Sequence, residues 1–311
     1  MDRICIGVDE NGLGAQLGPL VVTAVGARVA AGSKIGRNTE TLARHARLLD
    51  DSKRLVSHKD VRLGEAWARA ILGADVSRPA ALLEAIGLDS VAESMSICPT
   101  HVKAQCWAES GEEFSAPDEL VHEVGDCLGS LRKQGLTLCI VRSTWICTRM
   151  LNRHLANGHH RFLVDLHSME RLLLNMREQL GVKLDAICGK VGGIADYPRY
   201  FGPLGGRLYT VVEQERHRSC YEFAQLGRIS FEQDADSHDA LVMIASLIGK
   251  YVRELFMARI ARHYDEDDDQ GARPSGYHDP VTQKFVEATC NLRKSRRVPF
   301  DCFERKRADR E

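Results

Sequence analysis

The chain has 311 residues, of which 44% are hydrophobic and 27% are charged, and its formal net charge is −1. This is the composition of an ordinary globular protein with room for one large domain or two smaller ones. No apolar run approaches the ~18 residues of a membrane-spanning helix, and the first residues lead directly into a predicted strand. We therefore expect neither secretion nor membrane insertion, but a cytoplasmic, monomeric protein without membrane association.

The cysteines and the charges give weaker constraints. The ten cysteines show no Cys-x-x-Cys spacing, so we expect reduced, mostly buried thiols rather than a zinc site or a disulfide framework. The acidic run at 265–269 lacks the spacing of a calcium loop and predicts a solvated loop. A basic tail at 293–310 is compatible with a phosphate backbone, although a solvated terminus explains it equally well.

The first two predicted strands cover residues 4–8 and 20–29, with a glycine-rich turn between them. Two adjacent carboxylates, Asp9 and Glu10, follow the first strand. Side-chain alternation would point them to opposite faces unless the backbone bends after Val8, and we expect the glycines that follow to supply that bend. Two hard anionic ligands beside a glycine turn suit a Mg²⁺ or Mn²⁺ site that a phosphate can approach closely. A turn or helix cap is the alternative explanation of this pair.

Helices and strands then alternate, which predicts an α/β protein with helices around one central sheet. Predicted helices cover 41–49, 57–73, 79–95, 119–133, 148–156, 161–180, 237–263 and 281–290, and predicted strands cover 136–141, 182–188, 207–212 and 228–231. Residues 75–118 are interpreted as an insertion, because 96–118 contain proline and glycine and look irregular.

The helix at 237–263 carries apolar residues at helical spacing, which predicts one buried stripe. Asp236 stands just before it, where an N-cap would be, and this is the simplest explanation of that carboxylate. The polar cluster at 50–55 precedes another predicted helix and has the same simple explanation.

Four separated motifs are similar, in order and spacing, to those of the ribonuclease HII family. The first is Asp-Glu-x-Gly-x-Gly, matched by Asp9, Glu10, Gly12 and Gly14. The second is Asp-Ser-Lys-x-Leu, matched by Asp51, Ser52, Lys53 and Leu55. The third is Ala-Asp-Ser followed by Ala-Ser-x-x-x-Lys, matched by Asp236, Ala245, Ser246 and Lys250. The fourth is Gly-Tyr followed by Asp-Pro-x-Thr, matched by Gly276, Tyr277, Asp279, Pro280 and Thr282.

The resemblance implies a ribonuclease H-like fold, with a central mixed sheet flanked by helices and a helical C-terminal segment. It divides the chain into a domain at 1–263, elaborated at about 75–118, and a helical segment with a basic tail at 264–311. The implied activity is hydrolysis of RNA in RNA–DNA hybrids with Mg²⁺ or Mn²⁺ as cofactor. The resemblance implies that Asp9, Glu10 and Asp236 are the catalytic metal ligands.

The resemblance also implies a set of substrate-binding residues. Tyr277 would pack on a sugar, Lys53 would contact a phosphate, and Ser52 stands beside it in the same motif. The backbone of the Gly12, Leu13 and Gly14 turn would meet the 2′-hydroxyl that distinguishes RNA from DNA.

The sequence departs from the family at the third metal-binding carboxylate, where Gly189 or Cys188 stands at the end of the strand. Asp185 is about 13 Å upstream at the usual rise per residue, too far for a metal–oxygen bond. Asp196 lies beyond the strand and would have to fold back. Leu13 also replaces the arginine typical of bacterial members. Two hypotheses therefore stay open: a nuclease, and a catalytically impaired protein that binds hybrid or structured nucleic acid.

Two other groups of residues suggest chemistry less strongly. His154, His159 and His160 flank an Asn-Gly turn and are interpreted as solvated polar residues rather than metal ligands. Cys188 lies near Lys190, but no local His or Asp would activate it, so a buried core thiol is the favoured interpretation.

Overall fold

A seven-stranded mixed sheet forms the centre of this computed structural model, with the strand order β3-β2-β1-β4-β7-β6-β5. The structure describes residues 2–33, 44–73, 76–109, 111–191, 193–264 and 273–306. The strands are β1 (Arg3–Asn11), β2 (Leu20–Val29), β3 (Leu136–Ile146), β4 (Leu184–Gly189), β5 (Tyr209–Gln214), β6 (Arg218–Phe223) and β7 (Gly227–Glu232). The predicted central sheet flanked by helices is confirmed.

Eleven α-helices lie within the described ranges. They are α1 (Ser52–Leu55), α2 (Arg62–Leu72), α3 (Pro79–Ile86), α4 (Val91–Met95), α5 (Asp118–Lys133), α6 (Thr148–Ala156), α7 (Arg161–Leu180), α8 (Ala240–Tyr264), α9 (Pro280–Ala288), α10 (Cys290–Ser295) and α11 (Phe300–Phe303). None of these helices is long and apolar enough to cross a membrane.

The central strands place three carboxyl ends at one edge of the sheet. β1 is antiparallel to β2 but parallel to β4, with Val8 opposite Cys188. β4 is in turn parallel to β7, with Gly189 opposite Glu232. The ends of β1, β4 and β7 therefore lie side by side, as parallel pairing requires.

Helix α8 covers one face of this sheet. A Cβ at Gly7 would lie 2.3 Å from backbone atoms of Leu241 and Val242, so the helix rests directly on β1 and no larger residue fits there. The single buried stripe predicted for this helix is wrong, because residues 240–249 are all buried. The reason is that α8 packs against β1 and β2 on one side and α2 on another.

Helix α7 covers the opposite face. Leu166 and Met169 of α7 belong to one apolar cluster with Val8 of β1 and Cys188 of β4. The sheet is thus enclosed between α7 and α8, and the alternation along β1 decides which helix each side chain faces.

Several predicted elements differ from the observed ones. The sequence did not predict β6, and the predicted helix at 79–95 is two helices, α3 and α4, separated by Gly87. The helix predicted to begin at 57 begins at Arg62, because Ser57 and Asp60 pair in a tight turn. The acidic loop at 265–269, the start of the helix predicted at 41–49 and the last residues of the basic tail lie outside the described residues.

Two further features concern the middle and the end of the chain. Trp107, within the predicted insertion, is 3% exposed and packs edge-on against Phe256 of α8 at 5.1 Å between ring centroids. The C-terminal segment returns to the glycine turn, where the amide of Arg305 donates to the carbonyl of Gln16. All ten cysteines lie within the described residues, and none of them forms a disulfide bond.

Candidate active site

The predicted site residues on β1 lie inside the strand, not beyond its end. β1 runs to Asn11, which still pairs with Val21 of β2. The predicted strand end at Val8 is therefore wrong: the polar residues 9–11 continue the strand because they still pair with residues 21–23 of β2, which satisfies their backbone groups on that side. Asp9 and Glu10 are consequently held by sheet hydrogen bonds rather than by a loose turn.

Asp9 and Glu10 point to opposite faces of the sheet. The bend predicted after Val8 is wrong, because β1 continues as a regular strand to Asn11. Gly7 and Asn11 both approach α8, and Asp9, between them in the alternation, receives a hydrogen bond from the Ser246 side chain of that helix. Glu10 shares its face with Val8, which packs against α7.

The carboxylates of β1 are crowded by other negative charges. Burial, followed by the charge of Glu10, raises the pKa of Asp9 well above its usual value. Burial, followed by the charge of Asp165, raises the pKa of Glu10 to about 8. Asp236 raises both pKa values further. Such a cluster is stable only if it holds protons or a cation.

Asp236 is not the N-cap of α8. That helix begins at Ala240, and its first amides, of Leu241 and Val242, donate to the carboxylate of Asp239 at 3.0 and 3.1 Å. Asp236 lies instead in a short 3-10 turn, where its Oδ2 accepts a hydrogen bond of 3.3 Å from Nζ of Lys53. The capping explanation is therefore wrong, and the side chain faces the site.

The Asp-Ser-Lys motif is anchored on α8 beside these carboxylates. Asp51 caps α1 by accepting from the amide of Lys53. Ser52 is fully buried, and its Oγ lies 2.8 Å from Oγ of Ser246 and accepts a 2.7 Å hydrogen bond from Nζ of Lys250. These contacts leave the Lys53 side chain 71% exposed above the site.

The glycine turn contains one crowded and one open position. Gly12 has a φ of +93°, and a Cβ there would lie 2.6 Å from Nε of Arg253, so only glycine fits. A Cβ at Gly14 would meet no atom within 4 Å, so its backbone borders open space. The side chain of Leu13 packs against the apolar cluster under α7, which leaves only its backbone for a ligand.

Two arginines donate hydrogen bonds to backbone carbonyls of the glycine turn at residues 12–18. Arg305 is 3% exposed and donates to the carbonyls of Gly12 and Gly18. Arg161 donates to the carbonyls of Leu13 and Ala15. The carbonyls of the turn are thus occupied by protein donors. Sequence reasoning missed Arg305, since nothing local distinguishes it from the other cations of the tail.

Tyr277 lies beside the turn. Its ring covers the guanidinium of Arg253 at 4.5 Å, and the residue is 42% exposed. The preceding residue, Gly276, accepts hydrogen bonds from the amides of Gln16 and Leu17 at 2.8 and 2.9 Å. Tyr277 also lines a pocket of about 270 Å³ together with Lys53 and Lys250. Residues of the second, third and fourth motifs therefore line one pocket, together with Asn11 at the end of β1.

Gly189 lies directly beside Asp9. A Cβ at position 189 would be 3.3 Å from Oδ1 of Asp9. Asp185 is bound to Arg3 at the other end of β4, and Asp196 pairs with Arg199. Neither carboxylate takes the place that Gly189 leaves.

The neighbouring strand does not supply the missing carboxylate either. Glu232 stands opposite Gly189, but its carboxylate is bound to Arg218 and His238 at 3.0 and 3.3 Å. As the side chains stand in the described ranges, no group of three or more His, Cys, Asp or Glu residues is placed to hold a metal ion.

Asp165 on α7 is a neighbour of the site that sequence reasoning missed. It is fully buried, and burial, followed by the charge of Asp9, raises its pKa well above the usual value. The sequence feature that could have identified it is an aspartate flanked by two apolar residues, Val164 and Leu166, on a helix with an apolar face.

The two other groups have ordinary structural explanations. His154 and His159 stack on each other at 5.8 Å between ring centroids. Cys188 is fully buried, and burial raises the pKa of its thiol. It is therefore a core residue rather than a nucleophile.

No family model and no curated protein matches the chain. Among solved structures, it is similar to ribonuclease HII from Archaeoglobus fulgidus, solved in complex with PCNA (16% identity, TM-score 0.44, 99% of this chain and 96% of that one). It is similar to Bst-RNase HIII in complex with Mn²⁺ (14%, TM-score 0.46, 97% and 66%). It is also similar to ribonuclease H2 from Pyrococcus horikoshii OT3 (13%, TM-score 0.39, 97% and 92%). The chain spans about two thirds of the length of Bst-RNase HIII.

Proposed function

We propose that this protein is a divalent-metal-dependent endonuclease that hydrolyses the RNA strand of RNA–DNA hybrids. The observation that carries the proposal is that four motifs, spread from residues 9 to 282, contact one another at the carboxyl edge of the sheet. Lys53 contacts Asp236, Ser52 contacts Ser246, and the loop at 276 holds the glycine turn. Contacts between motifs so far apart in sequence favour a shared function over four separate helix caps.

Mg²⁺ or Mn²⁺ fits the donors at this edge. Asp9, Glu10 and Asp236 offer only carboxylate oxygens, the ligands that hard cations prefer. A bound cation would relieve the repulsion that raises the pKa values of Asp9 and Glu10. When bound, such ions activate a water and stabilise the leaving oxygen in phosphodiester hydrolysis. Asp236 would exchange its contact with Lys53 for the metal.

The remaining residues would hold and select the hybrid. Lys53, exposed above the carboxylates, would bind a phosphate once Asp236 is released. The open backbone at Gly14, beside Gly12, would approach the 2′-hydroxyl closely. Tyr277, fixed on Arg253 and exposed on its other face, would pack against a sugar or base.

A second candidate is a protein that binds hybrid duplexes without cleaving them. The absence of a side chain at Gly189 favours it, because the space next to Asp9 then holds one carboxylate fewer than in the family that the motifs resemble. Both candidates use the same binding surface, so only a cleavage assay separates them.

The test uses the full chain with a labelled duplex carrying one ribonucleotide and with a longer RNA–DNA hybrid, each in Mg²⁺ and in Mn²⁺. Asp9→Asn is the inactivating variant. Asp185→Asn is its matched control, since that carboxylate lies at the opposite end of the neighbouring strand. We expect cleavage by the natural chain and the control but not by Asp9→Asn. Binding without cleavage in either metal would establish the second candidate, and full activity in Asp9→Asn would refute the site.

A further inference from the structure

Asp165 is a buried carboxylate for which the structure gives no protein partner. The residue is 0% exposed, and neither carboxylate oxygen has a hydrogen-bond partner in the part of the chain that the structure describes. A buried charge without a partner is one of the most unfavourable arrangements in a protein interior. An acid at this position therefore points to a ligand that the protein itself does not supply.

The location of Asp165 places it beside Glu10. Its neighbour Leu166 packs in one cluster with Val8 and Cys188, at the ends of β1 and β4. Glu10 lies two residues beyond Val8 and so points to the same side of the sheet. Apart from burial, the charge of Asp165 has the largest effect in raising the pKa of Glu10. It also raises the pKa of the Cys188 thiol, and the charge of Asp9 raises the pKa of Asp165 itself.

Two other buried acids, Glu170 and Glu232, have hydrogen-bond partners within the protein. Glu170, one turn further along α7, accepts hydrogen bonds from the amides of Gly202 and Leu204 at 3.1 and 2.9 Å. Glu232 is bound to Arg218 and His238. Asp165 differs from both in having neither a cation nor an amide to compensate its charge.

We propose that Asp165 is a ligand of the divalent cation bound by Glu10, and that it supplies from α7 the carboxylate that Gly189 does not supply from β4. This inference rests on the proposed metal-dependent function and adds a residue to its site. A side chain at 189 would reach the site next to Asp9, on the α8 side. Asp165 reaches it from the α7 side, so the cation would be held from a different direction.

The test measures Mn²⁺ binding to the full chain by the electron paramagnetic resonance signal of free Mn²⁺, without any substrate. Asp165→Asn keeps the shape of the side chain and removes its charge. We expect the Mn²⁺ dissociation constant to rise by at least about 10-fold, as changes around metal sites commonly cause. Asp185→Asn, bound to Arg3 at the far end of β4, should bind Mn²⁺ like the natural chain. Unchanged Mn²⁺ affinity in Asp165→Asn would overturn the proposal.

Thermal unfolding without metal separates ligation from a role in folding. A carboxylate that has no partner in the metal-free protein should not be needed to fold it, so Asp165→Asn and Asp165→Leu should both unfold at temperatures no lower than the natural chain. Loss of the fold in both variants would contradict the proposal. Adding Gly189→Asp to Asp165→Asn should restore at least part of the Mn²⁺ affinity, and failure of that restoration would argue against a shared cation.

The binding readout also separates this inference from the nuclease proposal. Asp165-dependent Mn²⁺ binding in a chain that cleaves no hybrid would support the ligand and refute the nuclease. Cleavage that depends on Asp9, together with unchanged Mn²⁺ binding in Asp165→Asn, would refute the ligand and leave the nuclease in place.

Discussion

Nζ of Lys53 lies 3.3 Å from Oδ2 of Asp236, although 183 positions separate the two residues in the chain. The lysine thus occupies the carboxylate that the proposed function assigns to a metal, and the charge of Asp236 raises the pKa of Lys53. The residue that we propose to bind a phosphate therefore partly neutralises the carboxylates while no metal is bound. Metal and hybrid binding are therefore expected to be linked through this pair.

Lys53→Met should tighten Mn²⁺ binding, because Asp236 loses the cation that competes with the metal. The same change should weaken hybrid binding and lower the slope of log K against log salt by about 1, the effect of losing one phosphate contact. Metal binding and salt-dependent hybrid binding would be measured on one preparation. Lys59→Met, at an exposed lysine near the same surface, is the control. Weaker Mn²⁺ binding in Lys53→Met would contradict the linkage.

Gly189→Asp should raise Mn²⁺ affinity by about 10-fold, in the range seen for groups that support metal sites. The new carboxylate would begin 3.3 Å from Oδ1 of Asp9. Without metal, the added repulsion should lower the free energy of unfolding by about 1 kcal/mol. Titration with Mn²⁺ and urea unfolding check the two effects, with Gly189→Ser as the uncharged control. Equal effects of aspartate and serine would show that space, not charge, matters at 189.

The stability of the metal-free protein should fall as the pH rises. Burial raises the pKa of Glu10 from 4.5 to about 8, so between these values the folded protein holds a proton that the unfolded chain has released. The stabilisation is complete below about pH 4.5 and is lost as the pH rises through 8. One such proton corresponds to a decrease of about 1.4 kcal/mol in the free energy of unfolding per pH unit.

Urea unfolding at several pH values between 5 and 8 measures this slope. Glu10→Gln, which cannot ionise, should reduce the dependence of the unfolding free energy on pH. The pKa of Asp9 is also raised, so Asp9 should account for part of the pH dependence that remains. Since metal binding displaces the proton, Mn²⁺ affinity should increase over the same range. A flat stability profile in the natural chain would contradict the assignment of a proton to Glu10 in the folded, metal-free protein.

Tyr277→Ala should lower kcat/KM on the hybrid by about 10-fold or more, the loss expected for one stacking contact. Tyr277→Phe should retain most of the activity, because the ring, not the hydroxyl, covers Arg253 and the proposed sugar. Tyr209→Ala is a matched control: Tyr209 is 41% exposed against 42% for Tyr277 but lies on β5 at the edge of the sheet. Equal losses in the two alanine variants would remove the argument for a substrate contact.

Arg305→Met should lower the free energy of unfolding by about 2 kcal/mol, the loss of charge-assisted hydrogen bonds to buried carbonyls. Those carbonyls belong to Gly12 and Gly18, so the glycine turn should also loosen and cleavage should fall more than stability alone explains. Lys306→Met is the control, since the contacts described for Lys306 use its backbone. Wild-type cleavage in a destabilised Arg305→Met would limit the residue to a structural role.

The sequence by itself determined the elements whose patterns are local. The bounds of β2, α6 and α7 follow the predicted ones, because an apolar run or a helical period is visible within a few residues. The motif spacing also singled out Asp9, Glu10 and Asp236 before any contact was known. Strand β6, which lies between β7 and β5, was missed, since its residues 218–223 mix polar and apolar types without clear alternation.

Only the tertiary structure decided what each of these groups contacts. Asp236 does not cap α8, because the first amides of that helix donate to the carboxylate of Asp239, three residues later. Arg305 lies behind Gly12, and Asp165 stands next to Glu10 without a partner, through packing between segments more than a hundred residues apart. Burial and electrostatic neighbours depend on the folded arrangement of the whole chain. A local pattern therefore predicts where a carboxylate stands along the chain, but not whether it is capped, paired or left for a metal.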